Sequence, residues 1–387
     1  MGDVAMTPAD ALVAAQRDLA NELARLLPSG AVIIDAHTHL GADEDGQSLD
    51  LPSLISLLDD VGVDARACAF PFHDPEREPA YRTPNDRVLA WAAESGGRII
   101  PYCRLDPADH ALAEAERCLA LGARGFKLHP RAQGFGFDTA VMGSIFEAAA
   151  DATVPILVHA GRGMPPMDAL ADVALRYPQV PLVLAHAATA DQGMFASRLR
   201  EHPAVLYDTS CFSPVDIIEL FARVPAERIV FASDVPYGRP ANGLFQALRV
   251  AALAGLDDED RRRLVGGTMH SVLECEPLAR ATAPRIPERR SVNGRLQRVS
   301  TYLNLSFGAF FGGLESGQPP DAQRALAGIA LARGVCRDPD PGSSRHALSR
   351  IDAILAAAEQ VATLERPRSL AAIGLLQAAS VIAATEA

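Results

Sequence analysis

Two histidines separated by one residue, in Asp35-Ala36-His37-Thr38-His39, close a short run of apolar residues. Side chains at i and i+2 share one face of a strand, so both imidazoles point the same way. Two imidazoles on one face make a natural half of a zinc or manganese site. Other ionisable groups obey the same placement. Lys127 and His129 end the run 125–129, His159 ends 155–159, His186 ends 181–186, and Asp234 follows 229–233. Burying this many such groups together without an ion is costly. The set therefore reads as a divalent-metal centre, with zinc and manganese both suited to His and carboxylate.

Elements must hold these residues. The β-rich runs are 32–37, 67–72, 99–105, 125–129, 155–159, 181–186, 205–209 and 229–233. They recur about every 25–35 residues, the size of a βα unit. Several are apolar on both faces, as in a parallel sheet covered by helices. Between them lie helix signals: Asp50-Leu51-Pro52, Asp106-Pro107 ahead of 111–121, Pro165-Pro166 ahead of 167–175, and Ser213-Pro214 ahead of 215–221. Eight units match a closed α/β barrel, the (β/α)8 TIM barrel, whose catalytic groups sit at the strand ends. A doubly wound open sheet is the rival that periodicity alone leaves open. The expected organisation is an N-terminal helix in 1–30, a barrel over 31–278, and a linker with a helical C-terminal region over 279–387. Pro284, Pro287, Arg285, Arg289 and Arg290 mark the linker.

The chain has 387 residues, 49% of them hydrophobic, enough for a sizeable core. A formal net charge of −12 excludes the basic surface that nucleic acids and anionic membranes require. The six cysteines are scattered and read as mostly buried thiols, which fits a reducing cytoplasm. The N-terminus lacks the basic start and apolar core of a signal peptide. The one uncharged stretch approaching membrane length, 369–385, is alanine-rich and short for a span. It reads as a buried or dimer-interface helix, so a homodimer is expected.

The order HxH, Lys, His, His, Asp on strands one, four, five, six and eight resembles the amidohydrolase superfamily. The resemblance covers about 31–273. Gly125-Phe126-Lys127-Leu128-His129-Pro130 is similar to the strand-four segment of dihydroorotases, where such a lysine is carbamylated. Ser233-Asp234-Val235-Pro236 with Gly267-Thr268-Met269 looks more like the amidohydrolase-related branch containing aminocarboxymuconate-semialdehyde decarboxylase, which often uses one metal and no lysine ligand. The resemblance implies His37, His39, His159 and Asp234 as core ligands. It implies His186 as a second-metal ligand or as the holder of a catalytic water, and carbamylated Lys127 as a bridge in a two-metal site. Asp234 would take a proton from the attacking water and pass it to the leaving group.

His129 shares the face of Lys127 and is expected to contact substrate. Arg104, Arg131, Arg162 and Arg239 follow strand ends or lie in βα loops, where a guanidinium can clamp a carboxylate. The leading expectation is hydrolysis of an amide, ester or lactone of a small substrate, anionic if these arginines serve it. Nonoxidative decarboxylation of a small unsaturated or aromatic acid is the alternative, and a noncatalytic barrel scaffold is the third class.

Overall fold

Strands buried on both faces need neighbours on both edges, and the chain supplies them by closing a ring. The computed structural model describes residues 8–164, 166–211, 213–286, 293–316, 321–338, 344–364 and 370–386. Its strands are β1 (Ile34–Ala42), β2 (Ser48–Leu49), β3 (Arg66–Pro71), β4 (Ile99–Pro101), β5 (Cys103–Arg104), β6 (Phe126–Leu128), β7 (Ile156–Val158), β8 (Leu182–Leu184), β9 (Val205–Asp208) and β10 (Ile229–Val230). β2 folds back antiparallel on β1, and all other pairings are parallel. β4 pairs with β3 and β5 pairs with β6, so together they form one stave interrupted at Tyr102. Past β10, a parallel bridge joins Val235 to Thr38, and Ala36 N–H donates to Phe231 O. These contacts close an eight-staved TIM barrel.

The outer helices are α1 (Pro8–Leu26), α2 (Leu51–Asp59), α3 (Arg82–Glu94), α4 (Ala111–Ala120), α5 (Pro130–Gln133), α6 (Ala140–Ala152), α7 (Asp168–Arg176), α8 (Gln192–Arg198), α9 (Pro214–Arg223), α10 (Pro240–Leu253), α11 (Asp258–Arg262), α12 (Thr268–Leu273), α13 (Gly294–Ser316), α14 (Ala322–Cys336), α15 (Arg345–Leu364) and α16 (Leu370–Thr385). Asp50 caps α2 through Ser53 N at 2.9 Å, as its sequence signal implies. Asp106 does not cap α4. Its carboxylate accepts from Ala108 N, and His110, in a left-handed conformation, stands at the helix start. Pro165, Pro287, Arg289 and Arg290 lie outside the described residues.

Strand alternation sorts the core into two. Ile34, Cys68, Ile100, Leu157, Val183, Leu206 and Val230 fill the barrel interior, with Phe70, Tyr102, Ala185 and Ala232 one step further along. Met269, Val272 and Leu273 of α12 join this inner cluster and plug the strands' N-terminal end, where Arg124 donates to Leu273 O. Phe126, Leu128, Ile156, Val158, Leu182, Leu184 and Phe231 face the other way, onto the helices. Gly125 is required beside the interior: a Cβ there would meet Tyr102 Cε2 at 2.5 Å.

α16 is largely buried, lying against α10, α13 and α15. Arg249 of α10 pairs with Glu22 of α1 at 2.6 Å, and Arg350 of α15 pairs with Asp18 at 2.6 Å. No helix among the described residues is long and apolar enough to cross a membrane. Five described cysteines are buried, and Cys275 is exposed.

Candidate metal centre

The strand parity that puts aliphatic side chains inside the barrel puts ionisable ones at its mouth. Tyr102 is followed two residues on by Arg104, Leu157 by His159, Leu206 by Asp208, and Ala232 by Asp234. β1 needs a device to join them. Ile34 and Ala36 already face inward, so strict alternation would turn His37 outward. Asp35 pairs with Ala67 and Thr38 with Ala69, so β1 accommodates one extra residue between them. The bulge brings His37 and His39 inside, against Phe70 at 5.2 and 4.7 Å between ring centroids. Thr38 Oγ1 then donates to Cys68 O at 2.9 Å.

Asp234 Oδ1 lies 3.2 Å from His37 Nε2 and 3.1 Å from His39 Nε2. Ligand-capable atoms of these three buried residues all fall within 4.8 Å of one another. Asp234 itself has φ 57°, a left-handed backbone that a non-glycine residue adopts at a cost. Lys127 is fully buried, with Nζ 3.3 Å from His37 Nε2 and 4.4 Å from the Phe70 ring centroid.

Hydrogen bonds fix the imidazole tautomers. A carboxylate only accepts, so His37 Nδ1 donates to Asp208 Oδ2 at 2.8 Å and leaves the Nε2 lone pair facing Asp234 and Lys127. This carboxylate–imidazole pairing orients metal-ligating histidines. The other Asp208 oxygen accepts from His186 N at 2.8 Å and Ser210 Oγ at 2.6 Å. His186 Nδ1 lies 2.9 Å from Ser210 O and donates to it, so its Nε2 accepts from His159 Nδ1 at 3.0 Å. His159 Nε2 is thereby left with a lone pair and no partner among the described residues. His186 sits past β8 at φ 56°, in a left-handed turn rather than on the strand. His159 stacks on His129 at 3.9 Å, and His129 Nδ1 accepts from Ala132 N at the start of α5.

Burial governs the charges. Desolvation pushes His37, His39, His129 and His159 well below the ordinary imidazole range, so they stand neutral, the form that binds metal. It lowers Lys127 to about 7, with the positive charge of Arg104 acting in the same direction. It raises the Asp234 carboxyl well above the carboxylate range, against the opposing pull of Lys127. Asp35 is pushed up to about 7 by burial although Ser233 N and His37 N donate to it. A cation held by His37, His39 and Asp234 would relieve the Asp234 carboxyl, and neutral nitrogen with carboxylate oxygen is a donor set that fits zinc or manganese.

The structure gathers His37, His39, Asp234 and Lys127 tightly, with a second group in which His159 stacks on His129 and meets His186 edge to face. His159 does not join the three-residue ligand cluster. The arginines separate. Arg104 is 1% exposed. The Arg162 side chain is 62% exposed and pairs with Asp216 at 2.8 Å. Arg131 is exposed, and Arg239 approaches Asp60 at 3.5 Å. Sequence reasoning missed Asp208 and Ser210. Asp208 stands inward two residues after Leu206, at the end of the seventh run, so the rule that found the other groups could have found it. It also missed Tyr237, whose hydroxyl donates to Asp43 at 3.1 Å beside the His39 ring.

A family model described as Amidohydrolase matches residues 34–270. No curated protein sequence matches the chain. Among solved structures, the chain is similar to apo IDCase from Metarhizium anisopliae, at 17% identity and a TM-score of 0.52, over 64% of this chain and 98% of that one. It is also similar to a probable 2-pyrone-4,6-dicarboxylic acid hydrolase from Acinetobacter baumannii with citric acid bound, at 14% identity, TM-score 0.48, and 62% and 99% coverage. A third is 5-carboxyvanillate decarboxylase from Sphingomonas paucimobilis, at 13% identity, TM-score 0.45, and 63% and 99% coverage. At 17% identity, the likeness to the first of these shows the fold alone.

Proposed function

We propose that this chain, which belongs to the amidohydrolase family, is a metal-dependent hydrolase that cleaves an amide, ester or lactone bond of a small substrate. The observation that carries the reading is the buried cluster of His37, His39 and Asp234 at the barrel mouth, with two neutral imidazoles and one carboxylate within 4.8 Å. These residues would hold a divalent ion, which when bound polarises a carbonyl and acidifies water. Asp208 keeps His37 Nε2 free of its proton. Asp234, beside both imidazoles, takes a proton from the attacking water and returns it to the leaving group. His186, whose ring packs against His37, and His159 orient the substrate or water, with His129 and the rim arginines Arg131 and Arg162 contacting substrate further out.

Lys127 has two roles available. As a free amine it contacts substrate oxygen. At a pKa of about 7 it is also neutral enough to capture carbon dioxide, and the carbamate would add a ligand for a second ion. Nonoxidative decarboxylation of a small acid is the second reading, favoured by the buried cation Arg104 in the same layer.

Elemental mass spectrometry on protein purified without chelators tests the reading. Zinc or manganese near one or two per chain is expected, with loss in His37→Ala. About two ions supports the carbamate, and about one supports the free amine. A chain without metal under every growth condition overturns the proposal and revives the scaffold.

A further inference from the structure

Arg104 is the ionisable side chain in the barrel mouth whose placement the proposed hydrolysis does not explain. It is 1% exposed and forms no ion pair among the described residues. Its Nη1 reaches Pro71 O at 3.4 Å, a marginal hydrogen bond. Nε and Nη2 find no acceptor among the described residues. Water can satisfy such donors but cannot neutralise the charge, and a buried guanidinium is stable only when paired.

The surroundings hold this cation in place. Buried Asn85 clamps the Arg104 backbone from both sides: its Oδ1 accepts from Arg104 N at 2.9 Å, and its Nδ2 donates to Arg104 O at 3.1 Å. Glu114 fixes Asn85 in turn at 2.9 Å. The guanidinium lies 5.1 Å from the Tyr81 ring centroid, and the Tyr81 hydroxyl is engaged by His73 Nδ1 at 2.5 Å. Arg104 pairs in register with Lys127 on the neighbouring strand, and its charge is felt at His39, His129 and Lys127. The site is thus built, held in place and within electrostatic reach of the proposed metal centre. Arg162 offers nothing comparable, since it is exposed and already paired.

The two unpartnered donors are informative together. Nε–H and one Nη2–H lie on the same edge of a guanidinium, parallel and spaced to meet both oxygens of one carboxylate. We propose that the Nε–Nη2 edge of Arg104 is a carboxylate subsite, so that the substrate is an acid anchored there with its scissile bond toward His37, His39 and Asp234. This deepens the hydrolase reading and rests on its location of the centre. A carbamate on Lys127 would offer the same chemistry from within the chain, and the test separates the two sources.

Calorimetric titrations of the protein as purified would use acetate, malonate and benzoate against acetamide, malonamide and benzamide. The acids are expected to bind at least about 10-fold more tightly than the amides. Arg104→Gln should weaken them by about 10- to 100-fold, as for loss of a charge-assisted pair. Arg104→Lys should recover part of the affinity, keeping the charge without the fork, and Arg223→Gln, an exposed arginine of α9 paired with Glu219, should change nothing. Because the cation is unpaired, the thermal midpoint of Arg104→Gln should equal or exceed the wild type. Equal binding of acids and amides, or unchanged affinity in Arg104→Gln, overturns the subsite. A collapse of the thermal midpoint in that variant overturns it too, by showing a structural arginine. A carbamate carbon signal after loading with labelled bicarbonate, lost in Arg104→Gln and accompanied by no acid binding, assigns the edge to Lys127 and also overturns it. Metal content read on the same samples keeps the two proposals apart: acid binding without metal sinks the hydrolase alone, and metal without acid binding sinks the subsite alone.

Discussion

The lower and upper layers of the barrel interior are equally hidden from solvent and are built on opposite principles. Below, Ile34, Cys68, Ile100, Leu157, Val183, Leu206 and Val230 pack against the α12 plug with no charged group among them. Above, His37, His39, Arg104, Lys127, Asp208 and Asp234 are buried together. The lower layer converts burial into stability through apolar area removed from water. The upper layer spends part of that stability, because desolvation opposes the charge on nearly every group in it. Its left-handed residues, Asp234 and His186, add backbone strain in the same place. Adjacent layers of one barrel thus divide the work between holding the fold and holding a poised site.

Substitutions can break that division or sharpen it. The largest effect is expected at Asp234→Asn, which should lower turnover by about 10²–10⁴-fold, the span of a lost acid–base group. Its metal content should stay close to the wild type, and full retained activity on amide, ester or lactone panels would remove Asp234 from the chemistry. In the lower layer, Leu157→Ala should cost about 2–5 kcal/mol in denaturant unfolding while leaving metal content unchanged. Metal loss in that folded variant would mean the layers are not separable.

Asp208→Asn probes the support behind His37. It should weaken metal affinity by about 10- to 100-fold, read by competition with a chromophoric chelator. Unchanged affinity would make Asp208 a structural partner of Ser210 only. The smallest effect is expected outside the barrel, where Asp50→Ala removes the α2 cap and should cost about 1 kcal/mol of stability, with metal and turnover at wild-type levels.

Much of the site was legible because strand alternation is local. The HxH spacing placed His37 and His39 on one face, and the ends of the apolar runs located Lys127, His159, His186 and Asp234. Asp208 was equally legible, since it follows Leu206 by two, yet an Asp before Thr209 also reads as an ordinary strand terminus. The four arginines looked alike in sequence. Burial separates Arg104 from Arg131 and Arg162, and burial depends on which helices and loops cover each strand end. The third run, 99–105, has the pattern of one continuous strand. The barrel needs its first half on β3 and its second on β6, so the pairing changes partners at Tyr102.

Local sequence carries the barrel's eight units, the sharing of faces by residues two apart, and the kinds of chemical group at the strand ends. Covalent geometry fixes the period of a strand, so these features need no knowledge of the rest of the molecule. The packing of distant segments turns His37 inward through a bulge and brings Asp208, 171 residues away, onto its Nδ1. It also brings Asp234 against both imidazoles and leaves Arg104 without an ion pair among the described residues, with Asp43 and Asp106 acting on it only from a distance. Those outcomes depend on how barrel closure staggers one strand against another, a relation between distant segments that no local pattern encodes.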